Sequence, residues 1–201
     1  MGCLCLQKPD WVSIATLAVT VIALIVAVFI PTRIMEYQRY TNLIGTYMSL
    51  DFAHAFQSVI AFFCDDCEYD VERIPAEYKK RFESDMKRVM RHGDSGDITG
   101  DITKVLHYQR RFLNNYFLEL EMCRRSSRTL SRIIRKDWTA NEAYVTRILI
   151  FMNDAVDNDP EMFKDISCIK DERLPRVRGM NEYLKSLQGI LQNELRWMQP
   201  R

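Results

Sequence analysis

From Trp11 to Ile30 the chain carries no charge, no glycine and no proline. A helix rising about 1.5 Å per residue over that run covers about 30 Å, the thickness of a bilayer's hydrocarbon core. Pro9 and Asp10 suit the start of such a helix, with an acidic residue at the N-cap. Trp11 then belongs at one membrane interface, and Tyr37 and Tyr40 near the other. A cleaved signal peptide would need small residues before its cut, whereas Ala27-Val28-Phe29 puts a Phe in one of those places. A core helix would be apolar along one stripe, not all round. The run is therefore read as a transmembrane helix, residues 11–30, behind an N-terminal tail, 1–10. A juxtamembrane connector, 31–48, follows, in which Pro31 and Thr32 are expected to break or kink the helix.

The tail begins Met1-Gly2-Cys3-Leu4-Cys5-Leu6. Gly2 beside Cys3 and Cys5 suggests dual acylation, but Leu6 stands where the myristoylation pattern wants Ser or Thr. Both cysteines also precede the apolar run, so a lipoprotein reading fails. They read as thiols beside a membrane, open to palmitoylation. Lys8 and the α-amine on one flank nearly balance Arg33 and Arg39 on the other, so positive charge barely sets the orientation. Cys64, Cys67, Cys123 and Cys168 are scattered as in a reducing compartment, which places the domain in the cytosol.

About 170 residues follow the apolar run, enough for one domain with a real core. Seven Gly and six Pro among 201 residues leave little room for disorder or an all-β fold. The patterning predicts an all-α chain: one N-terminal transmembrane helix, then a helical-bundle domain over 49–201. One helix runs from Ser49 to Cys67 with Leu50, Ala53, Phe56, Val59, Ile60 and Phe63 at helical spacing. Another starts at Pro75 and carries Tyr78, Phe82, Met86, Val89 and Met90. The Gly- and Asp-rich stretch His92–Asp101 reads as a loop. A long helix is expected from Thr103 to about Lys136. Thr139 and Glu142 read as a capping box for the next, through Val145, Ile148, Leu149 and Met152. Asp159-Pro160 opens a short helix. Pro175 precedes the last one, carrying Met180, Leu184, Leu187, Leu191, Leu195 and Met198.

The long helix holds the strongest chemical signal. Between Met122 and Lys136 stand Arg124, Arg125, Arg128, Arg132, Arg135 and Lys136, with no acid among them. Arg124, Arg128, Arg132 and Arg135 follow a four, four, three spacing and share a face, and on an unbroken helix Arg110 projects the same way. Leu113, Tyr116, Leu120, Cys123, Leu130 and Ile134 fall on the core side. Like charges at such spacing destabilise a helix, and guanidinium groups suit phosphates and carboxylates. Arg110, Arg124, Arg125, Arg128, Arg132 and Arg135 are therefore the expected anion-binding residues. Two bland alternatives stand beside that one: a solvated face, or pairing with the acids Asp154, Asp157, Asp159, Glu161 and Asp165. Contact with acidic lipid is a further reading.

Ser13, Thr16, Thr20, Ala23 and Ala27 recur at three-four spacing in the apolar run. Such small-residue stripes let membrane helices approach closely, which predicts a homo-oligomer. Cys64-Asp-Asp-Cys67 lacks the second ligand pair of a zinc site and the βαβ setting of a redox motif, so core or half-buried thiols are expected. Asp94, Asp97 and Asp101 miss the calcium-loop pattern, and Asp101 reads as an N-cap. His54, His92 and His107 have no nucleophile set at recognisable spacing. Arg88 and His92 stand too close for the motif of helical HEPN ribonucleases, which places four to six residues between Arg and His. No catalytic residue, metal or cofactor is assigned, and no long nucleic acid is expected.

One span followed by helices, with Tyr47-Met-Ser-Leu-Asp-Phe52 and Leu113-Asn-Asn-Tyr-Phe-Leu-Glu-Leu-Glu121, resembles small bacterial membrane proteins with a helical cytosolic domain of unknown function. In organisation the chain is also similar to membrane-anchored effectors of CRISPR defence, which bind cyclic oligoadenylates through a helical domain. The resemblance implies a bacterial inner-membrane protein, a part in phage defence, and a phosphate-rich second messenger as ligand. It carries over no individual residue. The expected function is thus a non-enzymatic sensor or effector that binds an anion and acts on the membrane as an oligomer. A scaffold recruiting a protein partner, and a hydrolase with an unlisted site, are the rivals.

Overall fold

The structure, a computed structural model, describes residues 11–92, 104–138, 140–158 and 180–189. The loop at 93–101, the N-cap Thr139, the short helix at Asp159-Pro160, the acids Asp159, Glu161 and Asp165, and Leu191, Leu195 and Met198 lie outside those residues. So do Cys3, Cys5 and Cys168.

Every regular element among the described residues is helical. Helix α1, Trp11–Tyr47, is long and apolar enough to cross a membrane, and none of its apolar stretch is buried. Its polar side chains are satisfied within the helix. Thr16, Thr20 and Thr32 each donate a hydroxyl to the carbonyl four residues back, at 2.8 Å. Pro31 does not end the helix, so of the expected break or kink the break does not occur. Proline frees the Ala27 carbonyl, but apolar helices tolerate this when nearby Ser or Thr hydroxyls supply donors, and Thr32 bonds the adjoining Val28 carbonyl.

The chain divides into two compact units, Met1–Arg39 and Tyr40–Arg201. The residues read as a connector are helical up to Tyr47, and Tyr40 and Leu43 are buried in the second unit.

Ser49 caps α2, Leu50–Ala61, its Oγ accepting from the Phe52 amide at 3.2 Å. The buried face of α2 is Phe52, Ala55 and Val59, rotated from the expected Leu50 and Ala53, and Leu50 is 78% exposed. Phe52 decides the rotation, since its ring packs on Tyr116 at 4.6 Å and Tyr47 at 4.8 Å. A π-helical turn, Phe62–Asp66, then widens the helix, closed by Cys67 N donating to the Phe62 carbonyl at 3.2 Å. The extra residue brings Phe62, Phe63 and Cys67 all into the core. Glu68 and Tyr69 take positive φ, 53° and 64°, to end it.

Helix α3, Ile74–His92, buries Tyr78 and Phe82. It also caps its neighbour: buried Asp85 accepts from the Leu106 amide at 3.2 Å, at the start of α4, Leu106–Ser126. The N-cap of α4 is Val105, which has no side-chain acceptor, so the cap arrives from another helix.

The expected long helix from 103 to 136 is broken at Ser127, whose φ of −145° and ψ of 131° are extended. Ser126 and Ser127 are weak helix formers, and the break lets Leu130 and Ile134 of α5, Arg128–Asp137, turn to the core. The core residues foreseen on this stretch are all buried: Leu113, Tyr116, Leu120, Cys123, Leu130 and Ile134. Helix α6, Ala140–Asn158, is buried nearly all round and forms the centre of the bundle, with α2, α3 and α4 against it. Residues 180–189 form α7, which buries Met180, Leu184 and Leu187.

Candidate functional site

Along α4, Arg110, Asn114, Phe117, Glu121 and Arg124 stand three or four residues apart and so share one face. That face is polar at both ends and closed in the middle by the buried Phe117 ring.

At one end Arg110 is only 2% exposed. Its Nη1 donates to Asn153 Oδ1 on α6, and its guanidinium carbon lies 5.8 Å from the Tyr78 ring centroid. Asn114 Nδ2 donates to the same Asn153 oxygen at 2.8 Å. Asn153 Nδ2 donates to Asn181 Oδ1 on α7 at 2.9 Å, and Asn181 Nδ2 to Asp154 at 2.7 Å. Among the described residues Arg110 is therefore a buried cation held by neutral groups, its Nε without a hydrogen-bond partner. Its burial takes it off the exposed arginine face, and the break at Ser127 sets Arg128, Arg132 and Arg135 on a separate helix.

At the other end Glu121 is fully buried and accepts four hydrogen bonds. Arg124 gives two, at 2.5 and 2.7 Å, Arg125 one at 2.7 Å, and Ser186 of α7 one at 2.9 Å. The Arg125 guanidinium also lies over the Tyr183 ring, 4.8 Å from its centroid. Burial pushes the Glu121 carboxyl upward, but the bonds from Arg124, Arg125 and Ser186 outweigh it and hold the pKa below the usual value. The acid that answers these two arginines is thus their own helical neighbour. The i, i+3 and i, i+4 spacing of Glu121 was the signal for it. Of the acids expected to answer them, Asp154 instead accepts from Asn181.

Beyond the break, Arg128, Arg132, Arg135 and Lys136 are exposed and make no hydrogen bond or ion pair with any described residue. The opposite side of α5 is pinned by Leu130 and Ile134, 1% and 0% exposed. Among the described residues the six arginines therefore fall into three settings: one buried on amides, two clamped on Glu121, and three with no charged or hydrogen-bonded partner.

The remaining groups are quiet. Cys64 is half-buried and Cys67 buried, both as free thiols. Burial and the nearby Asp66 and Glu77 push the Cys67 thiol up to about 12, far from a reactive thiolate. Among the described residues no three His, Cys, Asp or Glu side chains are grouped to hold a metal ion. Ser13, Thr16, Thr20, Ala23 and Ala27 are all exposed along α1.

His107 Nδ1 lies 2.9 Å from the Tyr78 hydroxyl. Burial, then the charges of Arg110 and Arg111, hold its pKa well below 6.5. The folded state thus binds fewer protons there than the unfolded chain, so stability present above pH 6.5 is lost as pH falls below it. Glu121 adds a second loss below its ordinary value of 4.5. The thermal midpoint should fall from neutrality towards pH 5, and His107→Gln should flatten that part of the curve. An unchanged curve in the variant would remove His107 as its cause.

Comparison with family models, with curated proteins and with solved structures gives no match to this chain.

Proposed function

We propose that this chain is a membrane-tethered, non-enzymatic sensor or effector whose cytosolic helical domain takes a phosphate-bearing anion on the α5 face. The observation that carries the reading is the trio Arg128, Arg132 and Arg135, exposed and unpaired among the described residues beside two arginines that Glu121 answers. A tether is supported by the apolar stretch of α1, which is exposed and long and apolar enough to cross a membrane. Guanidinium forks match phosphate oxygens in pairs, which favours phosphate over simple carboxylates. The layout shared with defence effectors makes cyclic oligoadenylates the first soluble compounds to try.

Ligand at a hundredfold its dissociation constant adds about 2.7 kcal/mol of stability, an easily read thermal shift for the full chain in detergent. Arg128→Gln with Arg132→Gln should abolish that shift while changing basal stability by no more than about 0.5 kcal/mol, as surface changes do. An unfolded double variant would show that the face is structural. No shift with any phosphate compound, soluble or lipid, would favour a scaffold that recruits a protein.

The reading includes assembly through Ser13, Thr16, Thr20, Ala23 and Ala27. Thr16 and Thr20 already spend their hydroxyls on their own helix, so a second helix can pack closely without stranding a polar group. Thr20→Leu with Ala23→Leu should lower the oligomer mass measured by mass photometry. A wild type that stays monomeric, with or without ligand, would leave α1 as a tether only.

A further inference from the structure

We infer that the phosphate layer meeting Arg128, Arg132 and Arg135 is the anionic headgroup surface of the bilayer that receives the chain's own apolar helix. The inference rests on the membrane-tethered reading above and names the source of its ligand.

Shape is the first argument. Sites for small molecules are concave and enclose most of their ligand. The three guanidiniums stand instead on the outer side of a single helix, at i, i+4 and i+7, with Lys136 beside the last. Such a row fits an extended layer of phosphates better than one small anion. The apolar side of α5 is unavailable for insertion, because Leu130 and Ile134 are locked in the core. Contact would therefore be by charge alone, without penetration of the acyl region.

Reach is the second argument. The last residue of α5 is Asp137, and Asp137 and Trp138 lie against the Tyr40 hydroxyl. Tyr40 opens the folded domain, and residues 31–39 are all that separate it from the apolar run. At no more than about 3.6 Å per residue, that segment keeps Tyr40 within about 36 Å of Ile30 whatever its conformation. A headgroup layer is then always at high effective concentration, whereas a soluble anion must be supplied.

Charge is the third. No acid precedes Asp137 on α5, so nothing on the helix itself competes with phosphate for the three arginines. Basic residues next to a membrane each gain roughly fivefold in preference for an anionic surface, so three together give on the order of a hundredfold.

The test uses the full chain in lipid nanodiscs, with arginines labelled by phenylglyoxal and read by mass spectrometry. In discs carrying phosphatidylglycerol, labelling of Arg128, Arg132 and Arg135 should fall at least about fivefold relative to purely phosphatidylcholine discs. Exposed Arg147 on α6 should label equally in both. About 0.5 M salt should restore the labelling, since the contact is screened charge. A second arm adds inorganic triphosphate or cyclic oligoadenylate to phosphatidylcholine discs. Protection by a soluble phosphate but not by phosphatidylglycerol would overturn the lipid assignment and leave the anion-binding function standing. Equal labelling in every arm would sink both. Protection that survives high salt would also overturn the charge-only contact argued here.

Discussion

Glu121→Ala is expected to cost about 3 kcal/mol, the lower end of the range for breaking a buried ion pair from one side. The carboxylate is 0% exposed and, among the described residues, is the only acid bonded to Arg124 and Arg125. Its loss would strand the Arg124 guanidinium, which is mostly covered, and leave Ser186 without an acceptor. Arg125 is half exposed and can turn to water, which is why the upper end of the range does not apply. In a chain of this size that cost lowers the thermal midpoint by about 6–12 °C. Glu121→Gln, which keeps two polar atoms but not the charge, should fall between the variant and the wild type. Ser186→Ala should lose only about 1 kcal/mol, the usual worth of one hydrogen bond. A Glu121→Ala chain that melts within 2 °C or so of wild type would mean the clamp contributes no net stability, as some paired charges do. The consequence for function would be direct. Arg124 and Arg125 would then be available to a ligand, and the free arginine face would extend across the break at Ser127.

The helical class, the apolar span and the core positions of α4, α5 and α6 were legible because 3.6-residue periodicity survives wherever a helix buries one clear stripe. Three features escaped for physical reasons. On the helix from Ser49 the spacing holds for Val59 and Phe63, which are buried, and for Phe56 and Ile60, which pack on the core. Leu50 and Ala53 are exposed instead, because the larger Phe52 wins the core through its rings. The break at Ser127 left no proline or glycine to announce it, only two serines in a run of like charges. That break in turn separated Arg110, Arg124 and Arg125 from Arg128, Arg132 and Arg135. The polar seam was hidden because Asn114, Asn153 and Asn181 come from three helices, and one sequence does not say which amides meet. Of the break or kink expected at Pro31, the break does not occur, since the helix runs on to Tyr47.

The seam yields the sharpest expectation. Asn153 is 0% exposed and joins three helices, accepting from Arg110 and Asn114 and donating to Asn114 and Asn181. Asn153→Leu keeps the branched shape of the side chain but removes the amide acceptor of the buried Arg110 Nη1. An uncompensated buried charge costs about 3–5 kcal/mol, so the variant should melt far below wild type or fail to fold. Arg110→Met should behave in the opposite way. It removes the buried cation, fills a similar volume, and leaves Asn153 Oδ1 still bonded by Asn114, so stability should be unchanged or raised by about 1 kcal/mol or more. The double variant, Arg110→Met with Asn153→Leu, should then recover most of what Asn153→Leu alone loses. Non-additivity of about 2–3 kcal/mol in that cycle is the measurement, taken from urea unfolding of the four full-length chains in one detergent. Strict additivity would show that Asn153 does not hold the Arg110 charge. A strongly destabilised Arg110→Met would mean instead that the guanidinium stabilises the fold, through Tyr78 and Asn153 together, and that its burial carries no net cost.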